Sequence, residues 1–185
     1  MYISRDEALR LLKQYLKSDK LVKHCLAVEA IMRCIARELG ENEVLWGLTG
    51  LLHDIDYEVV GGDMKKHGVV SSENILKGKL PKEALDAIKA HNELTGFKCN
   101  SKLAYALKAA DQISGLIIAT ALVMPSRKLS EVKVSSLMKK FKQKDFARRV
   151  KRDNIKLCER LGIPLEKFME LSLKALQEIH EDLGL

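Results

Sequence analysis

Alternation of apolar and polar residues, the mark of a half-buried strand, runs no further in this chain than Val132-Lys133-Val134. That leaves nothing from which to build a sheet and restricts the architecture to helices. Cys25, Cys34, Cys99 and Cys158 form no Cys-x-x-Cys pair, so no zinc ribbon is offered, and reduced cysteines in a reducing compartment are expected. No apolar run approaches the roughly 20 residues of a membrane helix. The opening MYISRDEALRLLKQYLKSDK is charged and amphipathic where a secretory signal would be apolar. A soluble, cytoplasmic chain with no membrane partner is the expectation. There is no G-x-S-x-G elbow, Walker loop or dinucleotide fingerprint, which removes the chemistries that those loops serve.

What is present is helical periodicity. At 185 residues, 46% of them hydrophobic, the chain can enclose one well-buried core, and one domain over residues 1–185 is expected. Ser4 with Glu7 forms a capping box ahead of Leu9, Leu12 and Leu16. A second helix is predicted from about Asp19 to Leu39, with Gly40 as its stop. A third starts near Asn42 and ends around His53-Asp54; Gly47 and Gly50 within it suggest close helix contact. Residues 56–66, DYEVVGGDMKK, read as a loop, followed by a helix over 67–77 stopped by Gly78. Pro81 opens a fifth helix that reaches His91, and Ser101 opens a long apolar helix to about Val123. Met124-Pro125-Ser126 breaks it, and two amphipathic helices flank Gly162-Ile163-Pro164. The fold class is all-α.

The formal charge of +7 is local. Residues 127–152 hold eleven basic side chains against Glu131 and Asp145, a net of +9, so the remainder is slightly acidic. Such a run reads as a solvated helical face or as a surface for an acidic partner, with the solvated face expected. Apart from Phe141 and Phe146 it carries no aromatic residue for base stacking.

Five histidines occur in the chain, and four of them, His24, His53, His67 and His91, join Asp54 and Asp111 as candidate metal ligands. Imidazole nitrogen and carboxylate oxygen suit divalent Mn, Fe, Co, Ni or Zn, and one carboxylate can bridge two ions. His24 and Asp111 fall on apolar helix faces, where an unpaired carboxylate is costly and a cation removes the cost. His180 has no candidate partner near it in sequence and reads as a solvated helix residue; Cys25, beside His24, points about 100° away and reads as core.

The order His, His-Asp, His, His, Asp resembles the HD-domain superfamily of metal-dependent phosphohydrolases, of HDIG-like type. The resemblance is carried by KHCLAVEAIMRCIARELG, WGLTGLLHDID, KHGVVSSENIL, AIKAHNE and LKAADQISGL, and covers about residues 20–120. It implies a compact helical HD-domain bundle with extra C-terminal helices over 127–185. It also implies a first metal on His24, His53, Asp54 and Asp111, and a second on His67 and His91 with Asp54 bridging. One or two divalent ions would then be the cofactor, with a small, nucleotide-like phosphorylated molecule as substrate and nucleic acid the less expected partner. After the HD pair the family usually continues, one residue on, with Gly-Lys; here Asp56-Tyr57 follow, which removes a lysine and adds a carboxylate.

Secondary roles stay open at this level. Lys108, three residues before Asp111, is a candidate catalytic contact for a substrate phosphate beside Asp54, or a cation reaching solvent. Asp56, Asn92 and Glu93 either orient ligands or are ordinary loop residues, and Lys65 and Lys66 read as surface. Two other functions fit the same residues: a di-iron oxygenase, and a non-catalytic metal-containing binding module.

Overall fold

The computed structural model describes residues 2–185, and among them every regular element is helical. Helix α1, Arg5–Tyr15, opens on the capping box: Glu7 N–H donates to Ser4 Oγ, and Ser4 N–H donates to the Glu7 carboxylate at 2.8 Å. Ser18 caps α2, Asp19–Leu39, and Gly40 closes it in the left-handed conformation at φ 67°. Asn42 caps α3, Glu43–Leu52, by accepting from Leu45 N–H. Helices α2 and α3 pack backbone to backbone. A Cβ on Gly50 would lie 3.0 Å from Val28 O, so only glycine lets α3 approach this closely.

Helices α4, Lys82–His91, and α5, Lys102–Val123, complete the region that carries the six candidate ligands. The long α5 is the axis of the molecule, lying against α2 and α4 and against the later helices α6 (Val134–Lys142), α7 (Arg152–Ile155) and α8 (Leu165–Glu178). A last turn, α9, spans His180–Leu183. One hydrophobic cluster runs from Ala8 and Leu12 in α1 through Leu107 and Ile113 in α5 to Phe168 and Leu176 in α8, so the C-terminal helices share the core of the ligand-bearing ones. By length and apolar composition α5 would suffice to cross a membrane, contrary to the sequence reading that found no such run. Its apolar faces are instead buried against the neighbouring helices.

Two boundaries differ from expectation. Residues 67–77 do not form a regular helix: helical structure begins only at Val69 and passes into a π-helical turn, Ser71–Ile75, in which Leu76 N–H donates to Ser71 O. The cause lies outside the segment. The buried Asp56 carboxylate takes the N–H groups of Gly68 and Ser71 at 2.8 Å each, so the Ser71 donor that a regular helix would turn to His67 O is already engaged. Pro81 occupies the cap before α4 rather than its first turn. In the basic stretch, α6 buries Leu137, and residues 143–151 form irregular turns. Arg152 is not solvated there: its guanidinium donates to six backbone carbonyls, among them Ala147 O at 2.7 Å, Val150 O at 2.9 Å and Gln143 O at 3.1 Å.

Gly68 should be the least replaceable glycine. Its φ is +88°, and an added Cβ would lie 2.9 Å from Ile88 O, a backbone atom that cannot swing aside. Gly40 also has positive φ but faces open space. Gly40→Ala is therefore expected to cost about 1–2 kcal/mol from the left-handed backbone alone, and Gly68→Ala to exceed it by about 1–3 kcal/mol of overpacking. Urea unfolding midpoints check the order; equal losses would show that the loop yields to the methyl group without cost.

Candidate metal centre

Four elements and one loop deliver the six residues. His24 lies on α2, His53 follows the last residue of α3, His91 ends α4, Asp111 lies mid-way along α5, and His67 sits in the loop ahead of the π-helical turn. The chain leaves α3 through tight turns, with Ile55 N–H donating to Leu52 O, and this loosening lets His53 and Asp54 turn toward one centre. All six predicted residues are brought together. Asp54 is the hub: its Oδ1 lies 3.3 Å from His53 Nε2, 3.2 Å from His67 Nε2 and 3.3 Å from His91 Nε2, and its Oδ2 lies 3.5 Å from His24 Nε2. Asp111 Oδ1 closes the other side at 3.1 Å from His24 Nε2 and 3.8 Å from His53 Nε2. His24, His53 and Asp111 form one set with ligand-type spacing, and His53, Asp54 and His91 another.

The outer nitrogens decide what this centre can hold. His53 Nδ1 meets Gly50 O at 2.7 Å, and His91 Nδ1 meets Ile88 O at 2.5 Å. A carbonyl only accepts, so both Nδ1 atoms carry the proton and both Nε2 atoms turn a lone pair inward. His67 Nδ1 is held in the same way by Asp56 Oδ1 at 2.8 Å, an arrangement that fixes ring and tautomer for a metal ligand. The His24 ring is held loosely, with Nδ1 3.5 Å from Ser114 Oγ. Lone pairs therefore face carboxylate oxygens, and the fully buried His53 Nε2 has no hydrogen-bond partner. A cation satisfies every one of these atoms, so the donor set fits divalent metal.

The electrostatics point the same way. Burial works against ionisation of Asp54, but the facing rings of His53, His67 and His91, where they carry a proton on the inner nitrogen, outweigh it and hold the carboxyl well below its usual range. Asp111 is likewise pulled down, against burial, by His24 and His53. Burial lowers His67, yet Asp54 and Asp56 together push it up to about 9. A ligand nitrogen must shed that proton, so proton and metal compete for the same position.

Around this cluster the open questions resolve unevenly. Asp56 is fully buried and orients His67, whereas Glu93 is exposed and pairs with Lys151 Nζ at 2.8 Å. Asn92 donates to Met64 O and His67 O, tying the loop to the end of α4. Lys108 is half-buried and lines a cavity of about 360 Å³ with Glu93, Tyr105 and Asn154. Lys65 and Lys66 are exposed, Lys66 pairing with Asp63. His180 is exposed at the start of α9, and Cys25 is a buried thiol pushed well up by burial. Sequence reasoning missed Gln112, whose Nε2 donates to Asp111 Oδ2 at 2.7 Å and whose Oε1 accepts from Lys151 N–H at 2.8 Å. Neighbours in a helix point about 100° apart, so no spacing rule links Gln112 to Asp111.

The ribonuclease Y of Acholeplasma laidlawii is 36% identical to the chain over 100 residues, 52% of this chain and 18% of that protein. The same enzyme of Onion yellows phytoplasma is 38% identical over 80 residues, covering 41% of this chain and 14% of the relative. That of Lawsonia intracellularis is 32% identical over 123 residues, covering 62% and 23%. The chain thus spans less than a quarter of the length of these curated relatives. No solved structure gives a significant match. The profile of the HD domain matches residues 21–116, a stretch that holds all six clustered histidines and aspartates and more than half of the chain. This protein therefore belongs to the HD domain family, the superfamily of metal-dependent phosphohydrolases that its ordered ligand set resembles.

Proposed function

We propose that this chain hydrolyses a phosphoester bond in a nucleotide-bearing substrate, using divalent metal held by His24, His53, Asp54 and Asp111 and, at a second position, by His67 and His91 with Asp54 shared. The carrying observation is the set of inward Nε2 lone pairs whose outer nitrogens are locked by Gly50 O, Asp56 and Ile88 O. One or two divalent ions held there would supply Lewis acidity toward phosphoryl oxygens and acidify a water at neutral pH. The chain's own groups prepare the centre for that chemistry. Asp54 sets the spacing between the two halves with its two oxygens, Asp56 keeps the His67 proton on the outer nitrogen, and Gln112 holds Asp111 Oδ2 so that Oδ1 faces inward. Lys108, one turn before Asp111, offers a cation to a non-reacting phosphate group. The name ribonuclease borne by the relatives favours a phosphodiester of RNA over the small free nucleotide that the sequence first suggested.

Hydrolysis and oxygen chemistry separate by metal replacement. Protein loaded anaerobically with Mn²⁺ or Co²⁺ is expected to cleave a ribonucleotide phosphoester at a rate indifferent to O₂, and Asp54→Ala to abolish the reaction. Activity that requires iron and consumes O₂ in step with substrate would replace this reading with an oxygenase. The two metal positions are counted independently of turnover: His67→Ala or His91→Ala should leave one tightly held ion per chain by elemental analysis, while Asp54→Ala disturbs both.

Asp56→Asn tests the orienting carboxylate. An Asn oxygen in place of Oδ2 can still accept from Gly68 and Ser71, which keeps the loop, but its amide would then donate to His67 Nδ1. The His67 proton would move to Nε2 and block the ligand atom. Affinity for the second ion is expected to fall about 10- to 100-fold, with thermal stability of the metal-free protein changing far less; an unaltered affinity in a calorimetric titration would refute the role.

A further inference from the structure

The basic stretch lies beyond the family match, which ends at residue 116, and nothing in the hydrolytic centre uses it. Its end is nevertheless fastened to that centre from two sides. Lys151 N–H donates to Gln112 Oε1, and Gln112 in turn donates to Asp111, so two hydrogen bonds separate the backbone of the basic loop from a metal-site carboxylate. Lys151 Nζ also pairs with Glu93, two residues beyond His91. The same lysine thus joins the helix that carries Asp111 to the turn that follows His91.

The loop it ends is shaped as well as anchored. Arg152 gathers carbonyls from residues 140–150, and Val150 covers α5 at Gly115, where an added Cβ would lie 3.5 Å from its Cγ2. Lys140 lies over the Phe146 ring at 4.5 Å. With Arg152 and Lys151 so engaged, Lys142, Lys144, Arg148 and Arg149 remain exposed, and among the described residues the ion pair of this stretch is that of Lys151. A solvated helical arm would need neither the clamp nor the tether.

We propose that residues 142–151 are the track for flanking phosphates of a single-stranded oligonucleotide whose reacting phosphate occupies the histidine-aspartate centre. The proposal rests on the phosphoester reading above. A free nucleotide carries its phosphates in one cluster and would not span centre and loop together. An anionic membrane would attract the same cations, yet nothing about a lipid surface explains why the loop is fixed to Asp111 and to the end of α4. The scarcity of exposed aromatic rings in the loop implies that it reads backbone charge rather than bases.

Binding is measured apart from turnover, with the metal-loaded chain and a fluorescent, cleavage-resistant phosphorothioate oligoribonucleotide of about 12 nucleotides. Reversing both exposed arginines, Arg148→Glu with Arg149→Glu, should weaken binding at least about 10-fold at low salt and reduce the slope of log Kd against log salt by about 1–2. Hydrolysis of a dinucleotide, which is too short for the track, should stay within about twofold of the parent, with metal content unchanged. The milder Arg148→Gln with Arg149→Gln should fall between. An unchanged Kd and slope, equal losses on dinucleotide and oligonucleotide, or capture by phosphatidylserine vesicles without oligonucleotide binding would each overturn the proposal. Oligonucleotide binding that responds to the reversal in a protein that hydrolyses no phosphoester would instead sink the hydrolase reading and leave the track standing.

Discussion

The Asp54 carboxylate stands between groups that have no attraction for one another, and the geometry of the centre follows from that. Three imidazoles face one of its oxygens and a fourth faces the other. With the outer protons committed to Gly50 O, Asp56 and Ile88 O, the inner nitrogens meet oxygen lone pairs, which is a repulsive arrangement without added positive charge. Protons can supply that charge at the expense of ligand atoms, and divalent metal supplies it without that loss. An ion that binds only the folded arrangement also stabilises it by mass action. The apolar packing around α5 therefore has to hold ligands in place that would otherwise separate.

The local part of this design was legible in the sequence. Ser4 with Glu7, Asn42 and Ser101 announce helix starts by side-chain chemistry within one turn, and Gly40 announces a stop through its left-handed backbone. The six clustered histidines and aspartates were legible as candidates because histidine is scarce here and their order matched a family. Residues 67–77 were misread because their departure from a regular helix is imposed by Asp56, distant in sequence and close in space. Arg152 was misread for a related reason: a cation within a basic run looks solvated until the carbonyls that turn toward it are placed. The apolar character of α5 was underestimated as well, because Lys108 and Asp111 interrupt it without lowering its overall hydropathy enough.

The departure after the HD pair acquires a physical meaning once Asp56 is placed. Where the family usually continues with Gly-Lys, Asp56 is wholly buried and bonded to three donors, and Tyr57 is 41% exposed with its ring edge-on to His67 at 5.3 Å between centroids. The glycine position thus carries a buried anion that orients the His67 ring, and the lysine position carries an exposed tyrosine, so no cation stands there beside the centre. Within the centre itself carboxylates and imidazoles face inward, and on the proposed reading the approach of a phosphate would be governed by metal held there and by whatever cations lie at the rim.

Those cations are unevenly distributed. Lys65 and Lys66 are on an exposed loop, and Lys66 is already paired with Asp63. Lys108 shares its cavity with Glu93. The largest reserve of positive charge lies on residues 127–152, outside the matched domain, and it is joined to both the Asp111 and the His91 sides of the centre through a single residue, Lys151. A lysine next to the reacting phosphate can serve a substrate with one phosphate group; a row of cations set back from it has targets only on a substrate whose charge extends away from the reacting bond. On the proposed reading, the absence of a lysine at position 57 and the tethered basic loop belong together: recognition would fall on the phosphates that flank the reacting one.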